Sequence, residues 1–126
     1  MKLKDIMNRD VEFITGQATL CMAAERMKHR KIGALPVIEN GKLSGIITDR
    51  DIVVRALALH KNPLQERVHE FMTAAVIHSY EDQDVKDAVQ VMAEHHFRRL
   101  PVLSRAGTLV GIVTRSDLLR ARKAQT

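Results

Sequence analysis

The chain is poor in residues that stack, cross-link or anchor. It has no tryptophan, one tyrosine and three phenylalanines in 126 residues, which leaves little for nucleobases to stack on. Cys21 is its single cysteine, so no disulfide forms within the chain, as suits a reducing compartment. Cys21 falls near a predicted helix start and is read as a small packing residue, because a reactive thiol needs activating surroundings. No apolar run approaches the ~18 residues that span a bilayer. The opening Met1-Lys2-Leu3-Lys4-Asp5 lacks the apolar stretch of a secretory signal. A cytoplasmic location without membrane contact is expected.

The patterns of catalysis and metal binding are also missing. There is no Cys/His zinc pattern, no Gly-x-x-x-x-Gly-Lys loop and no nucleophile elbow. His95 and His96 are adjacent, and neighbours on a helix do not face one direction. Asp49-x-Asp51 and Glu81-Asp82-Gln83-Asp84 lack the spacing of a calcium loop. The chain reads as neither an enzyme nor a metal protein.

Basic charge is in excess. The formal net charge is +5 and the pI about 9.7, which attracts polyanions. The basic residues are dispersed, apart from Lys28-His29-Arg30-Lys31 and Arg120-Ala121-Arg122-Lys123. Dispersal and the scarcity of aromatics favour small anions over nucleic acid.

What the chain does contain is itself, twice. A shift of 65 residues lays Met7 on Met72, Ala23 on Ala88, Met27 on Met92 and Leu35-Pro36-Val37 on Leu100-Pro101-Val102. A shift of 66 lays Gly45-Ile46-Ile47-Thr48 on Gly111-Ile112-Val113-Thr114 and Asp51 on Asp117. Such a repeat predicts two subdomains, residues 1–62 and 63–126, packed in pseudo-two-fold symmetry with two equivalent clefts. A unit of ~60 residues buries only about 60% of its unfolded surface, so the halves are expected to need each other.

Each half reads as strand, helix, strand, strand, helix, a mixed α/β (α+β) pattern. First strands are predicted over Val11–Ile14 and Val76–Ser79. Thr19 and Asp84 are predicted N-caps of helices whose apolar faces are Leu20, Ala23, Ala24, Met27 and Val85, Ala88, Val89, Met92. Asn40-Gly41 predicts a type I′ turn between strands Ala34–Ile38 and Leu43–Thr48. Arg105-Ala106-Gly107 makes the longer turn of the second half. Closing helices are predicted from about Asp49 and Arg115, and Asn62-Pro63 breaks the chain between the halves.

Both halves close on Gly, two apolar residues, then Thr-x-x-Asp. Thr followed three residues later by an acid is a capping box, which stabilises a helix start without any ligand. The same geometry serves a nucleotide: a helix N-terminus attracts phosphate, and a first-turn carboxylate can accept ribose hydroxyls.

With Ile32-Gly33-Ala34-Leu35-Pro36-Val37, Phe97-Arg98-Arg99-Leu100-Pro101-Val102, and the openers Asp5-Ile6-Met7 and Glu70-Phe71-Met72-Thr73, these signatures resemble a tandem pair of CBS domains, the Bateman module, over roughly residues 3–124. The chain looks like a stand-alone bacterial CBS-pair protein. The resemblance implies two β-α-β-β-α repeats and a regulatory module that binds an adenosine compound in the cleft between them. AMP, ADP or ATP is favoured over NAD or S-adenosylmethionine, and signalling by conformational or oligomeric change is expected. Carried over by position, Asp51 and Asp117 would hold ribose hydroxyls, and Thr48 and Thr114 the ribose or first phosphate. Backbone at Gly33, Ala34, Arg98 and Arg99 would line adenine, with Ile14, Ile32, Pro36, Phe97 and Pro101 as walls.

The halves differ where phosphate would sit. Arg98, Arg99 and Arg115 face Gly33, Ala34 and Asp49 across the repeat, and Arg50 is the one basic residue that the first copy adds in return. Arginine's planar fork suits phosphate, so the second half is expected to hold phosphorylated adenosine and the first to bind weakly or not at all. The alternatives are a ligand-free dimerisation module, pairing through Ile52, Val53 and Leu57, and a basic nucleic-acid-binding protein. A homodimer is expected in the first two cases, and the downstream protein partner is not specified.

Overall fold

The structure, a computed structural model, describes residues 1–74 and 76–124. It divides into two compact units, Glu12–Val76 and a second made of Met1–Val11 with Ile77–Thr126. Each has a three-stranded sheet and helices, a mixed α+β architecture built twice.

In the first unit β1 (Ile14–Thr15) runs parallel to β2 (Ala34–Glu39), which runs antiparallel to β3 (Lys42–Thr48). Helix α1 (Leu20–Arg30) makes the crossover. Thr19 caps it, its side chain accepting from the Met22 amide at 3.2 Å. Asn40 and Gly41 both take positive φ, 52° and 77°, the geometry of the predicted turn. The apolar stripe Leu20, Ala23 and Met27 packs on Leu35, Val37 and Ile47.

The second unit repeats the plan. There β4 (Ser79–Tyr80) is parallel to β5 (Arg99–Leu103), and β5 is antiparallel to β6 (Leu109–Thr114). Helix α2 (Val85–His95) is capped by Asp84, which accepts from the Lys86 amide at 3.0 Å. Helix α3 (Arg115–Ala124) closes the unit.

Two local expectations change. The first strands are displaced to Ile14–Thr15 and Ser79–Tyr80, and each pairs with only two residues of the central strand. Asn8 turns the chain before the first of them, its side chain accepting from the Asp10 amide. After Thr48 the chain does not continue as a regular α-helix. It widens into π-type turns over Asp51–Ala56 and tightens into a 3-10 turn over Leu57–Leu59. The Lys61 amide, five residues on, donates to the Ala56 carbonyl. The wide turns keep Ile52 and Ala56 in the core and leave Val53, Val54 and Leu57 exposed.

The units as packed cut across the repeats of the sequence, because each repeat's opening segment is built into the other unit. Leu3 and Met7 lie in the core with Val85, Leu100 and Val113. Val68 and Phe71 lie in the core with Leu35 and Ile47. Each opener also pairs with the outer edge of a sheet. Asn8 and Ile112 exchange backbone hydrogen bonds, both 2.9 Å, and Ile46 and Thr73 do the same at 3.0 and 2.9 Å. The outer edges of β3 and β6 are thus each met by one bridge from an opener.

Candidate functional site

Both signatures are helix caps. In the first unit the Thr48 amide donates to Asp51 Oδ2 at 3.0 Å, and the Asp51 amide donates to Thr48 Oγ1 at 3.1 Å. In the second the Thr114 amide donates to Asp117 Oδ2 at 3.2 Å, and the Asp117 amide to Thr114 Oγ1 at 3.1 Å. This reciprocal pair is the capping box, and it uses one oxygen of each carboxylate. The other oxygen faces arginine. Asp51 Oδ1 lies 3.9 Å from Arg55, and Asp117 Oδ1 accepts from Arg120.

The units diverge at the next position. In both, the first-turn amide is tied to the strand opposite: Asp49 donates to the Gly33 carbonyl at 2.9 Å, and Arg115 to the Arg98 carbonyl at 2.8 Å. In the first unit the Asp49 carboxylate then accepts from the Arg50 amide at 2.8 Å. It also rests on Gly33, 3.0 Å from where a Cβ there would stand. This helix start already carries an anion of its own. Arg115 supplies no such acceptor to Ser116, and it stands beside Arg98.

Arg98, Arg99, Thr114, Arg115 and Ser116 line a pocket of about 400 Å³, a size within the ~300–1,000 Å³ of small-molecule sites. None of the three arginines has a side-chain ion pair or hydrogen bond among the described residues. Three guanidiniums without such partners around one hydroxyl-bearing helix start have the chemistry to receive an anion.

The expected site residues separate accordingly. Arg98, Arg99, Thr114 and Arg115 come together, and Asp117 is joined to Thr114 by the cap. Thr48, Arg50 and Asp51 gather at the other helix start, with Gly33 beside Asp49; Ala34 pairs with Thr48 across the sheet. Ile14 was expected as a wall, but it is 1% exposed and belongs to the core. Pro36 and Pro101 are buried within their strands, and Ile32 packs against the core. Phe97 is 38% exposed and lines a neighbouring groove rather than this pocket. Ser116 was missed, although its place inside Thr-x-x-Asp, opposite Arg50, was the available signal. Among the described residues no group of three or more His, Cys, Asp or Glu is placed to hold a metal ion. Nor is any helix long and apolar enough to cross a membrane.

The twinned α+β units, each with such a helix start, repeat the duplication seen in the sequence, and comparison with known proteins gives the family. The CBS domain model matches residues 3–57 and 68–124, and the chain belongs to that family. It is 40% identical to the uncharacterized protein YlbB of Bacillus subtilis, over 93% of this chain and 79% of that protein. The CBS domain pair of protein MJ0100, solved with 5′-methylthioadenosine and S-adenosyl-L-methionine, is 31% identical. It aligns with a TM-score of 0.81 over 100% of this chain and 98% of that one. CBSX2, a CBS-pair protein of Arabidopsis thaliana solved with AMP, is 29% identical, with a TM-score of 0.82 over 98% of this chain and 97% of that one.

Proposed function

We propose that this chain is a regulatory module that binds an adenine nucleotide through the helix start at Thr114, with AMP, ADP or ATP as the ligand class. The observation that carries the reading is the set Arg98, Arg99 and Arg115 around the 400 Å³ pocket, without carboxylate partners. Phosphate satisfies guanidinium forks that the protein leaves unsatisfied. Asp117 would accept ribose hydroxyls through Oδ1 once Arg120 swings aside. Two structural neighbours solved with adenosine compounds support the same class of ligand. Sensing then requires unequal affinity for two conformations or two oligomeric states.

Isothermal titration with adenosine, AMP, ATP and S-adenosylmethionine tests this. AMP and ATP are expected to bind at least about tenfold tighter than adenosine, since hydrogen bonds to charged groups contribute about 1.5–3 kcal/mol each. Equal affinity for adenosine and AMP would remove the arginines from the account, and silence toward all four would end it.

A second reading has one observation in its favour. The Asp49 carboxylate fills the first unit's helix start, so that unit serves as a structural partner and not as a second phosphate site. Its exposed apolar residues Val53, Val54 and Leu57 would then support a homodimer. Ile52, expected to share in that surface, is 6% exposed and committed to the core.

A further inference from the structure

The two Thr-x-x-Asp starts differ in what an arginine does at the second carboxylate oxygen. In the second unit Arg120, three residues on from Asp117, donates through Nη2 to Asp117 Oδ1. Among the described residues Arg120 has no other ion pair or hydrogen bond, and its side chain is 76% exposed. The carboxylate it covers is three-quarters buried. One solvated side chain with a single hold on the protein thus sits on an oxygen that the cap does not use.

The first unit shows the same start without such a cover. Val54 stands where Arg120 does in the repeat, and Arg55 stands in the place of Ala121. Arg55 lies 3.9 Å from Asp51 Oδ1, too far for a hydrogen bond. Its Nη1 donates instead to the Phe71 carbonyl at 2.6 Å and reaches the Met72 carbonyl at 3.3 Å. The reciprocal cap of Thr48 and Asp51 still forms in full. A capping box therefore does not need an arginine on its free oxygen, and an exposed ion pair adds little stability.

We propose that Arg120 is a gate on the ribose acceptor of the second unit. Closed, it occupies Asp117 Oδ1; open, it swings into solvent and leaves that oxygen to a ribose hydroxyl. The gate rests on the nucleotide reading and deepens it, because it sets how firmly the site holds any adenosine compound. A site that is competent for only part of the time binds more weakly by that fraction. The cost falls on the ribose, so adenosine and AMP bear it equally. AMP offsets it through Arg98, Arg99 and Arg115, and a nucleoside without phosphate has nothing to offset it with.

Adenosine and AMP are titrated by heteronuclear NMR into the full chain, into Arg120→Val, which copies the first unit, and into Arg120→Lys. The valine variant is expected to bind both ligands about two- to fivefold tighter, the factor that corresponds to ~0.5–1 kcal/mol for an exposed ion pair. The ratio of the two affinities should not change, because the phosphate contacts are untouched. The lysine variant should stay near the wild type. Salt supplies a readout that a packing role would not move. Adenosine is neutral, and screening loosens the Arg120–Asp117 pair. Added salt should therefore tighten adenosine on the wild type more than on Arg120→Val. A valine variant that binds both ligands as the wild type does, or more weakly, would overturn the gate and leave the nucleotide reading standing. If none of the three proteins binds adenosine or AMP, the nucleotide reading falls and takes the gate with it.

Discussion

The carboxylate of Asp49 rests on Gly33, its Oδ2 3.0 Å from the position a Cβ would take. At the equivalent place in the other unit Arg115 stands by Arg98, their backbones joined by a 2.8 Å hydrogen bond. One fold thus presents one helix start that carries an anion of its own and another that has arginine in its place. If this exchange sets the phosphate preference, moving the residues should move the preference. The double variant Gly33→Arg, Asp49→Arg is expected to raise AMP stoichiometry from one to two per chain in calorimetry. Gly33 has no positive φ to forbid a side chain, and removing the Asp49 carboxylate clears the space. Stoichiometry that stays at one would show that the arginines alone do not make the site.

Asp117 is asked to do two things, and two substitutions separate them. Asp117→Ala removes the acceptor of the Thr114 amide and should lower stability by about 1 kcal/mol, the usual worth of a helix cap. Asp117→Asn keeps one acceptor oxygen for that amide but loses the charge and the second acceptor. Most stability should survive in denaturant unfolding while AMP affinity falls about tenfold, on the scale of charged hydrogen bonds. An asparagine variant with undiminished affinity would leave Asp117 as a cap only.

The repeats, the capped helices, the Asn40-Gly41 turn and both Thr-x-x-Asp starts were legible because each is a local pattern. Apolar spacing, an N-cap residue and a turn dipeptide act within a few positions of chain. The Arg98, Arg99 and Arg115 cluster was legible for a different reason: the repeat supplies its own reference, so a charge on one side alone stands out. Long-range events were not visible. Nothing local in Asp5-Ile6-Met7 says that it completes the core of Val85 and Leu100 some eighty residues on, or that Ile14 is buried. The widened turns over Asp51–Ala56 also escaped, since Ile52, Val53 and Ala56 fit a regular helical stripe equally well. Ser116 escaped because its one signal, a place inside Thr-x-x-Asp opposite Arg50, does not single out a small hydroxyl until its neighbours are placed around the pocket.

The cap on α2 predicts a pH dependence. Asp84 titrates below the ordinary carboxylate range, chiefly because its charged form accepts from the Lys86 amide and also because the N-terminal ammonium attracts it. A carboxylate depressed on folding contributes stability above its unfolded pKa of ~3.9, and loses it as pH falls through the folded value. The melting temperature of Asp84→Ala should therefore lie below that of the wild type at neutral pH. The gap should close as the solution is acidified below about pH 4. Hydrogen bonding to Arg105 depresses Asp82 likewise, so Arg105→Ala should show the same convergence. A gap that is constant with pH would mean that the cap's charge is immaterial.

The two edge-strand glycines are spaces for the openers, and the nearer carbonyl at Gly45 predicts a smaller rescue there than at Gly111. A Cβ on Gly111 would stand 2.5 Å from Met7 Sδ and 3.1 Å from the Asn8 carbonyl oxygen. On Gly45 it would stand 2.6 Å from Met72 Sδ and 2.8 Å from the Thr73 carbonyl oxygen. Either alanine overpacks a filled site, at a cost of about 1–3 kcal/mol. At Gly111 the closest obstacle is a flexible side chain. Met7→Ala should therefore cost less in the Gly111→Ala background than in the wild type, giving a favourable coupling in a double-mutant cycle. At Gly45 the backbone carbonyl still blocks the Cβ after Met72→Ala, and that carbonyl is fixed by its own pairing with Ile46. The second cycle should show little or no rescue. If both cycles are additive, the methionines are not what hold these positions to glycine, and the openers dock less closely than their reciprocal hydrogen bonds require.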